Sequence, residues 1–227
     1  MPELEGAFQA LLEPGGLESA LRGALARYGA LVLEENRRFN LTGAKTPEEL
    51  AGHLLDSLTV VPYVRGPYVD VGSGAGLPAI PVAIAAAIEV TLIEATAKKA
   101  RFLESALERL GIRGRVVAAR AEEAGRRPDL RDRFKSGTAR AIATAPTVAE
   151  LLLPFLEPGG LGIVQRGELP PEERTALEDA SLMLGARLEQ EVPLEGHRRI
   201  VLLRKLGETP ERFPRRAGIP AKRPLCL

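Results

Sequence analysis

The 227-residue chain is 45% apolar, carries one cysteine and has a formal net charge of +1, which excludes a disordered chain and a polycation. Cys226 alone allows no internal disulfide framework and fits a reducing compartment. The longest apolar run, Leu77 to Ile88, is too short to span a bilayer and carries Pro78 and Pro81, while the acidic start Met1-Pro2-Glu3-Leu4-Glu5 lacks the basic opening of a signal peptide. The expectation is a cytoplasmic protein.

Residues 1–64 read as helical. Leu17, Leu21, Leu25, Tyr28 and Val32 recur at three- and four-residue spacing, one face of a helix ending near Arg38. Phe39 to Gly43 breaks that pattern. Thr46-Pro47-Glu48-Glu49 then opens a second helix, with Thr46 as N-cap, Pro47 at the first helical position and Glu49 closing a capping box. That helix carries Leu50, His53, Leu54 and Leu58 and stops by Pro62.

The stretch Tyr68-Val69-Asp70-Val71-Gly72-Ser73-Gly74-Ala75-Gly76 changes the character of the chain. A short β-branched run reaches an aspartate and breaks into three glycines at alternate positions. It reads as strand, tight turn and helix, with a loop whose missing side chains let a ligand lie against backbone N–H groups. A dinucleotide fingerprint needs a third glycine where Leu77 stands. The pattern aspartate-x-glycine-x-glycine-x-glycine instead resembles the first motif of S-adenosylmethionine (SAM) methyltransferases.

Beyond the loop the chain alternates. Strands are expected at Glu89–Ile93, Val116–Ala119, Thr138–Ala143 and Gly162–Val164, and helices at Thr96–Leu110, Val148–Leu156 (closed by Pro158-Gly159-Gly160) and Pro171–Leu184. Arg187–Val192 and Arg199–Arg204 form a terminal strand pair. Counted with the strand before the glycines, this predicts an α/β, Rossmann-like fold with a mostly parallel seven-stranded sheet, an antiparallel edge and a helical N-terminal extension.

Ligands of such sheets sit at the carboxyl ends of the strands. Those ends offer Gly72, Gly74 and Gly76; then Glu94, placed to accept both ribose hydroxyl protons; then Ala121 and Glu122, an amide and a carboxylate suited to an adenine edge; then Arg140. Alternatives stand beside these. Glu94 could pair with Lys98, Glu122 could be an ordinary helix-start acid, and Arg140 could be a structural ion pair. His53, on an apolar helix face, reads as core. No metal cluster, hydrolase elbow or Walker lysine is present, and methyl transfer to a nitrogen lone pair needs none. Charge is uneven: nine Lys or Arg lie between Arg113 and Arg140 against four acids, and from residue 209 onward five basic residues face Glu211 alone. Such patches suit a phosphate backbone or a solvated surface.

The chain resembles the RsmG (GidB) family of bacterial 16S rRNA guanine-N7 methyltransferases. The likeness is carried by Asn36-Arg37-Arg38-Phe39-Asn40-Leu41-Thr42, by His53-Leu54-Leu55-Asp56-Ser57-Leu58, by Val69 to Pro78, by Glu94, Lys98-Lys99, Ala121-Glu122 and Arg140-Ala141, and by the tail Phe213 to Pro220. Gln165-Arg166-Gly167 departs from the family's usual Lys-Gly. The resemblance implies a class I SAM-dependent methyltransferase acting on one guanine, number 527 of 16S rRNA, with S-adenosylhomocysteine as product. It implies that Gly72, Leu77, Ala121, Glu122 and Arg140 contact SAM and that Glu94 holds the ribose; Leu77 otherwise reads only as core. Arg140 is expected to position, without a general base and without metal. One methyltransferase domain over 1–227 is expected: a helical extension at 1–64, a SAM-binding core at 65–208 and a basic tail at 209–227. The expected partner is 16S rRNA, within the small subunit or an assembly intermediate, met by a monomer away from any membrane. Two other functions stay open, a small-molecule methyltransferase and a non-enzymatic RNA-binding or ribosome-assembly protein; Leu77 disfavours a dinucleotide oxidoreductase.

Overall fold

The computed structural model describes residues 1–140 and 143–227, and begins with three helices, α1 (Pro2–Leu12), α2 (Ser19–Asn36) and α3 (Pro47–Leu58). Thr46 caps α3 as expected, its hydroxyl accepting from the Glu49 amide at 3.3 Å. The Glu49 carboxylate returns to the Lys45 amide at 2.7 Å rather than to that of Thr46, so the capping box closes one residue early. Between α2 and α3 the chain turns around Asn36. Its side chain accepts from the amides of Leu41 and Thr42 and donates to the Ala44 carbonyl, which gives the Asn36–Thr42 block a structural reason.

The sheet contains β1 (Tyr68–Val71), β2 (Val90–Ile93), β3 (Gly114–Val117), β4 (Phe134–Arg140), β5 (Leu156–Arg166), β6 (Ala186–Pro193) and β7 (Arg199–Lys205). Their order is β3-β2-β1-β4-β5-β7-β6. The first five run parallel, and β7 inserts antiparallel between β5 and β6. Between them lie α4 (Ala79–Ala86), α5 (Ala97–Leu110), α6 (Ala121–Ala124), α7 (Ala145–Leu152) and α8 (Pro171–Met183), and α9 (Ile219–Lys222) follows the last strand. Two-residue periodicity divides the core. Tyr68, Val90, Leu92, Ile163, Ile200 and Leu202 pack on the face covered by α1 to α5. Val69, Val71, Val164, Val201 and Leu203 pack on the opposite face with α7, α8 and the tail residues Phe213 and Leu225.

Three boundaries differ from expectation. β3 lies two residues earlier, so Ala121 and Glu122 begin α6 instead of ending a strand. β4 starts at Phe134 because Pro67 supplies a carbonyl to the Lys135 amide at 2.9 Å; its expected end runs into Ala141 and Ile142, which lie outside the described residues. Pro158-Gly159-Gly160 does not close a helix but sits inside β5, where the register against β4 is irregular and Gly159 takes φ +89°. Among the described residues no helix is long and apolar enough to cross a membrane.

The connections run outward from β1 to β2 and β3, then back across to β4 on the other side of β1. That reversal leaves a crevice at the carboxyl ends of β1 and β4, where this architecture places a ligand.

Candidate active site

The glycine loop leaves β1 at the crevice and is held from three sides. The Ile93 carbonyl, at the end of β2, accepts from the amides of Gly72 and Ser73 at 2.9 and 3.1 Å. From the N-terminal extension, Tyr28 donates its hydroxyl proton to the Ala75 carbonyl at 2.6 Å, and burial raises that phenol far above its usual range. Glu94 closes the third side. Its buried carboxylate accepts from the Gly74 amide at 2.8 Å and from the Thr96 amide, at the start of α5, at 2.7 Å. Lys98 forms no ion pair with it. Gly72, Gly74 and Gly76 all have positive φ, and a Cβ on Gly74 would meet nothing of the protein nearer than the Gly72 carbonyl oxygen at 3.8 Å. The loop thus exposes an open, side-chain-free edge beside a carboxylate.

Beneath the loop Asp70 is almost fully buried. Thr138 of β4 donates to its Oδ1, but Oδ2 has no hydrogen-bond partner within the protein. Burial pushes the carboxyl up to about 7, against the lowering effect of Thr138, Ser73 and Arg140. A buried carboxylate oxygen without a donor is costly unless a ligand supplies one, and a cationic ligand would also favour its ionised form. The residues present therefore fit SAM, which carries an ammonium group and a sulfonium.

Arg140 ends β4 next to the loop, and its charge acts on Asp70, Tyr28 and His53. Its Nη1 lies 3.5 Å from Oδ2 of Asp56 on α3, while Oδ1 of Asp56 holds Arg198 at the entry to β7. The Asp56 carbonyl also accepts from Gln165 Nε2 at 2.9 Å. One acid therefore ties the extension to both sides of the crevice. His53, three residues earlier on the same helix, is not the core residue its apolar face suggested: it is exposed and lines a cleft of about 570 Å³ with Asp56, Arg140, Val148, Val164 and Gln165. Desolvation in that cleft first, and then Arg140, lower the His53 pKa, so its ring is neutral near pH 7.

The third strand end behaves differently. Glu122 lies in the first turn of α6, buried, with Oε1 accepting from the Gly218 amide of the tail at 2.7 Å; Oε2 has only Arg120 at 3.8 Å. The tail is folded onto this flank. Arg131 donates to the carbonyls of Thr209 and Phe213, Arg126 to those of Arg212 and Pro214, and Arg215 pairs with the fully buried Glu150 of α7 at 2.7 Å.

Residues 22–201 match the model of the GidB family, described as rRNA small subunit methyltransferase G. The chain belongs to the GidB family. It is 42% identical over 210 residues to the ribosomal RNA small subunit methyltransferase G of Pelotomaculum thermopropionicum, covering 87% of this chain and 88% of that protein. The namesake from Deinococcus deserti is 40% identical over 232 residues, 95% of each chain. The fold is also similar to that of a Pyrococcus horikoshii protein described as a candidate RNA methyltransferase, with a TM-score of 0.54 at 16% identity over 79% of this chain and 98% of the other.

Within this GidB-family fold, Gly72, Gly74, Glu94 and Arg140 come together around one crevice; Gly76, expected there too, is buried, its amide bonded to the Ser73 carbonyl and its Cβ position facing Ile80 at 2.6 Å and the Tyr28 hydroxyl at 3.0 Å. Leu77 is buried in the core below the loop, Ala121 is part-buried at the start of α6, and Ala141 lies outside the described residues. Asp70, Asp56 and Tyr28 carry more of the site than their sequence positions suggested. Asp70 stands two residues before the first glycine, and Asp56 three after His53, so motif position and helix-face spacing were signals for both. Tyr28 had only an apolar spacing. The expected basic patch of the 113–140 segment is largely occupied by protein partners: Arg115 and Arg127 face Asp129, and Arg126 and Arg131 hold the tail. In the tail Arg215 pairs with Glu150, while Arg212, Arg216, Lys222 and Arg223 are exposed and form no ion pair among the described residues. Among the described residues no group of three or more His, Cys, Asp or Glu could hold a metal ion.

Proposed function

We propose that this protein transfers the methyl group of SAM to N7 of a single guanine in 16S rRNA, guanine 527 by the family resemblance. It would act as a monomer in the cytoplasm, on the small subunit or an assembly intermediate. The observation that carries the reading is the unpartnered Asp70 oxygen beneath a three-glycine loop whose Gly74 amide is fixed by Glu94. Gly72 and Gly74 would hold the methionyl part of the cofactor by close backbone approach, and Gly76 would let the loop fold tightly against Ile80 and Tyr28. Asp70 would hold its ammonium group. Glu94 would accept from the ribose hydroxyls, using lone pairs left over after its two amide bonds. Ala121 and Oε2 of Glu122, which otherwise faces only Arg120, would meet the adenine edge, with Leu77 packed below.

When bound, SAM supplies a methyl group activated by a sulfonium. Guanine N7 offers a lone pair and carries no proton at neutral pH, so a general base would gain nothing. The chain must align, hold and exclude water. Arg140 stays protonated and is fixed by Asp56, which makes it a donor that can hold the base or its phosphate while leaving N7 free. Neutral His53 adds no second cation where the methylated ring becomes positive. In paired A-form RNA, N7 faces a deep, narrow groove, so the target base must be unpaired or turned outward to enter the cleft beside Arg140.

The test is transfer of isotopically labelled methyl from SAM to small-subunit rRNA lacking the modification, followed by mass mapping. Label at N7 of one guanine is expected. Label at another atom, or none on RNA alongside a labelled small molecule, would refute the proposal.

A further inference from the structure

Once internal pairing is accounted for, two stretches of the described residues keep several exposed cations that no acid of the protein answers: helix α5, and the tail with Arg212, Arg216, Lys222 and Arg223. Among the described residues, Lys98, Lys99, Arg101 and Arg109 of α5 form no ion pair and no side-chain hydrogen bond, in contrast to most arginines of the 113–140 segment. Lys98, Arg101 and Arg109 are exposed and share one helix face with Phe102, Ser105 and Ala106. That face forms one wall of a groove of about 530 Å³ whose other wall is the end of α2, with Leu31, Arg38 and Phe39. Glu34 and Glu35 are the acids there, and Glu35 already carries Arg38 at 3.2 Å. From Lys98 to Arg109 the stripe is about 16 Å long, at ~1.5 Å per residue. Its N-terminal end abuts the cofactor loop, because the amide of Thr96, which caps α5, is bound by the same Glu94 carboxylate that holds Gly74.

We propose that this α2–α5 groove is the track on which an rRNA strand lies as it runs toward the glycine loop, with Lys98, Arg101 and Arg109 on successive phosphates and the half-buried Phe39 ring as a stacking surface. The inference rests on the rRNA reading above and adds α5 as a phosphate-contact surface to the unpaired tail cations, in place of the internally paired 113–140 segment. Flexible cations along an apolar floor with an aromatic edge suit a nucleic-acid strand, where backbone charge and base faces are engaged together. The groove is open to solvent, so the strand could enter without displacing any element.

The variant Lys98→Gln/Arg101→Gln/Arg109→Gln tests it, with purified small-subunit rRNA as ligand and affinity measured across a salt series. Three lost contacts should raise Kd and flatten the slope of log affinity against log salt by about 2, at ~0.7 per single-strand phosphate. SAM affinity by calorimetry and the thermal melt should match the wild type. Lys98→Arg should keep the full slope, as should the control Arg113→Gln/Lys135→Gln, which changes free cations elsewhere. An unchanged slope in the triple variant overturns the groove. So does a loss seen only with the assembled subunit and not with naked rRNA, which would assign the face to a ribosomal protein. If the wild type fails to methylate rRNA, the functional proposal itself falls; wild-type methylation with an unchanged variant slope removes only the groove.

Discussion

Replacing Asp70 by asparagine should make the protein's stability markedly less sensitive to pH. In the folded state burial holds this carboxyl up at about 7, whereas in the unfolded chain it returns to roughly 3.9. Between those values the native protein keeps a proton that the unfolded chain has released. Native stability from this group is therefore complete at low pH and is lost as pH rises, until it levels off above about 7. The gap between those two values amounts to about 4 kcal/mol in all, and to roughly 2 kcal/mol between pH 5 and pH 7. The asparagine side chain would keep an acceptor for the Thr138 hydroxyl while removing the titration. Urea unfolding of both proteins from about pH 5 to about pH 8 gives the difference directly, since their other titrating groups are shared. Wild-type stability minus variant stability should fall by ~1.4 kcal/mol per pH unit until pH nears about 7 and then flatten. A difference constant to within ~0.5 kcal/mol across that range would mean that Asp70 is already ionised in the fold, and the argument from its burial would fail.

Three further outcomes follow from the site's hydrogen bonds. Glu94→Ala removes the acceptor for the Gly74 and Thr96 amides as well as any ribose contact, so calorimetry should show SAM binding weakened by roughly ten- to a hundredfold, with some loss of thermal stability. Arg215→Met leaves the fully buried Glu150 without its bidentate partner and should cost about 3–5 kcal/mol in urea unfolding, while adding Glu150→Leu should restore most of it. With saturating SAM, the single-turnover methylation rate of wild type should be flat from about pH 7 upward, because burial and Arg140 keep His53 neutral there, and His53→Gln should retain most of it. A rise with a midpoint near ~6.5 that vanishes in that variant would establish a proton-transfer role.

The α/β alternation, the sheet with its antiparallel strand and the glycine loop were legible because each is written in local pattern. β-branched runs end at the loop, glycines occupy the positions with positive φ, and helices show apolar spacing. Boundaries failed where tertiary contacts overrode that pattern. The Pro67 carbonyl extends β4 toward Lys135, and an irregular register against β4 draws Pro158-Gly159-Gly160 into β5. The placement of the glycine loop, Glu94 and Arg140 around one crevice was legible from strand ends. The Asp56 bridge to Arg140 and Arg198 was not, because its partners lie on two distant strands and only the packed α3 brings them together.

The tail shows most plainly why charge in a sequence does not announce its use. From residue 209 onward the composition is that of a free basic arm, yet the segment is bound mainly through its backbone. Arg126 and Arg131, which inflated the neighbouring basic patch on paper, present their guanidiniums to tail carbonyls that would otherwise need water. In return the tail supplies Gly218 N–H to Glu122 and Arg215 to Glu150, two carboxylates buried on the α6–α7 flank. Without these donors the buried oxygens of both acids would lose their hydrogen-bond partners. The tail is thus a condition for having a carboxylate buried at the start of α6 at all. Among the described residues, Arg212, Arg216, Lys222 and Arg223 of the tail stay exposed without an acid partner, so what the internal pairing removes is the charge of the 113–140 segment, and α5 adds unpaired cations of its own beside the glycine loop.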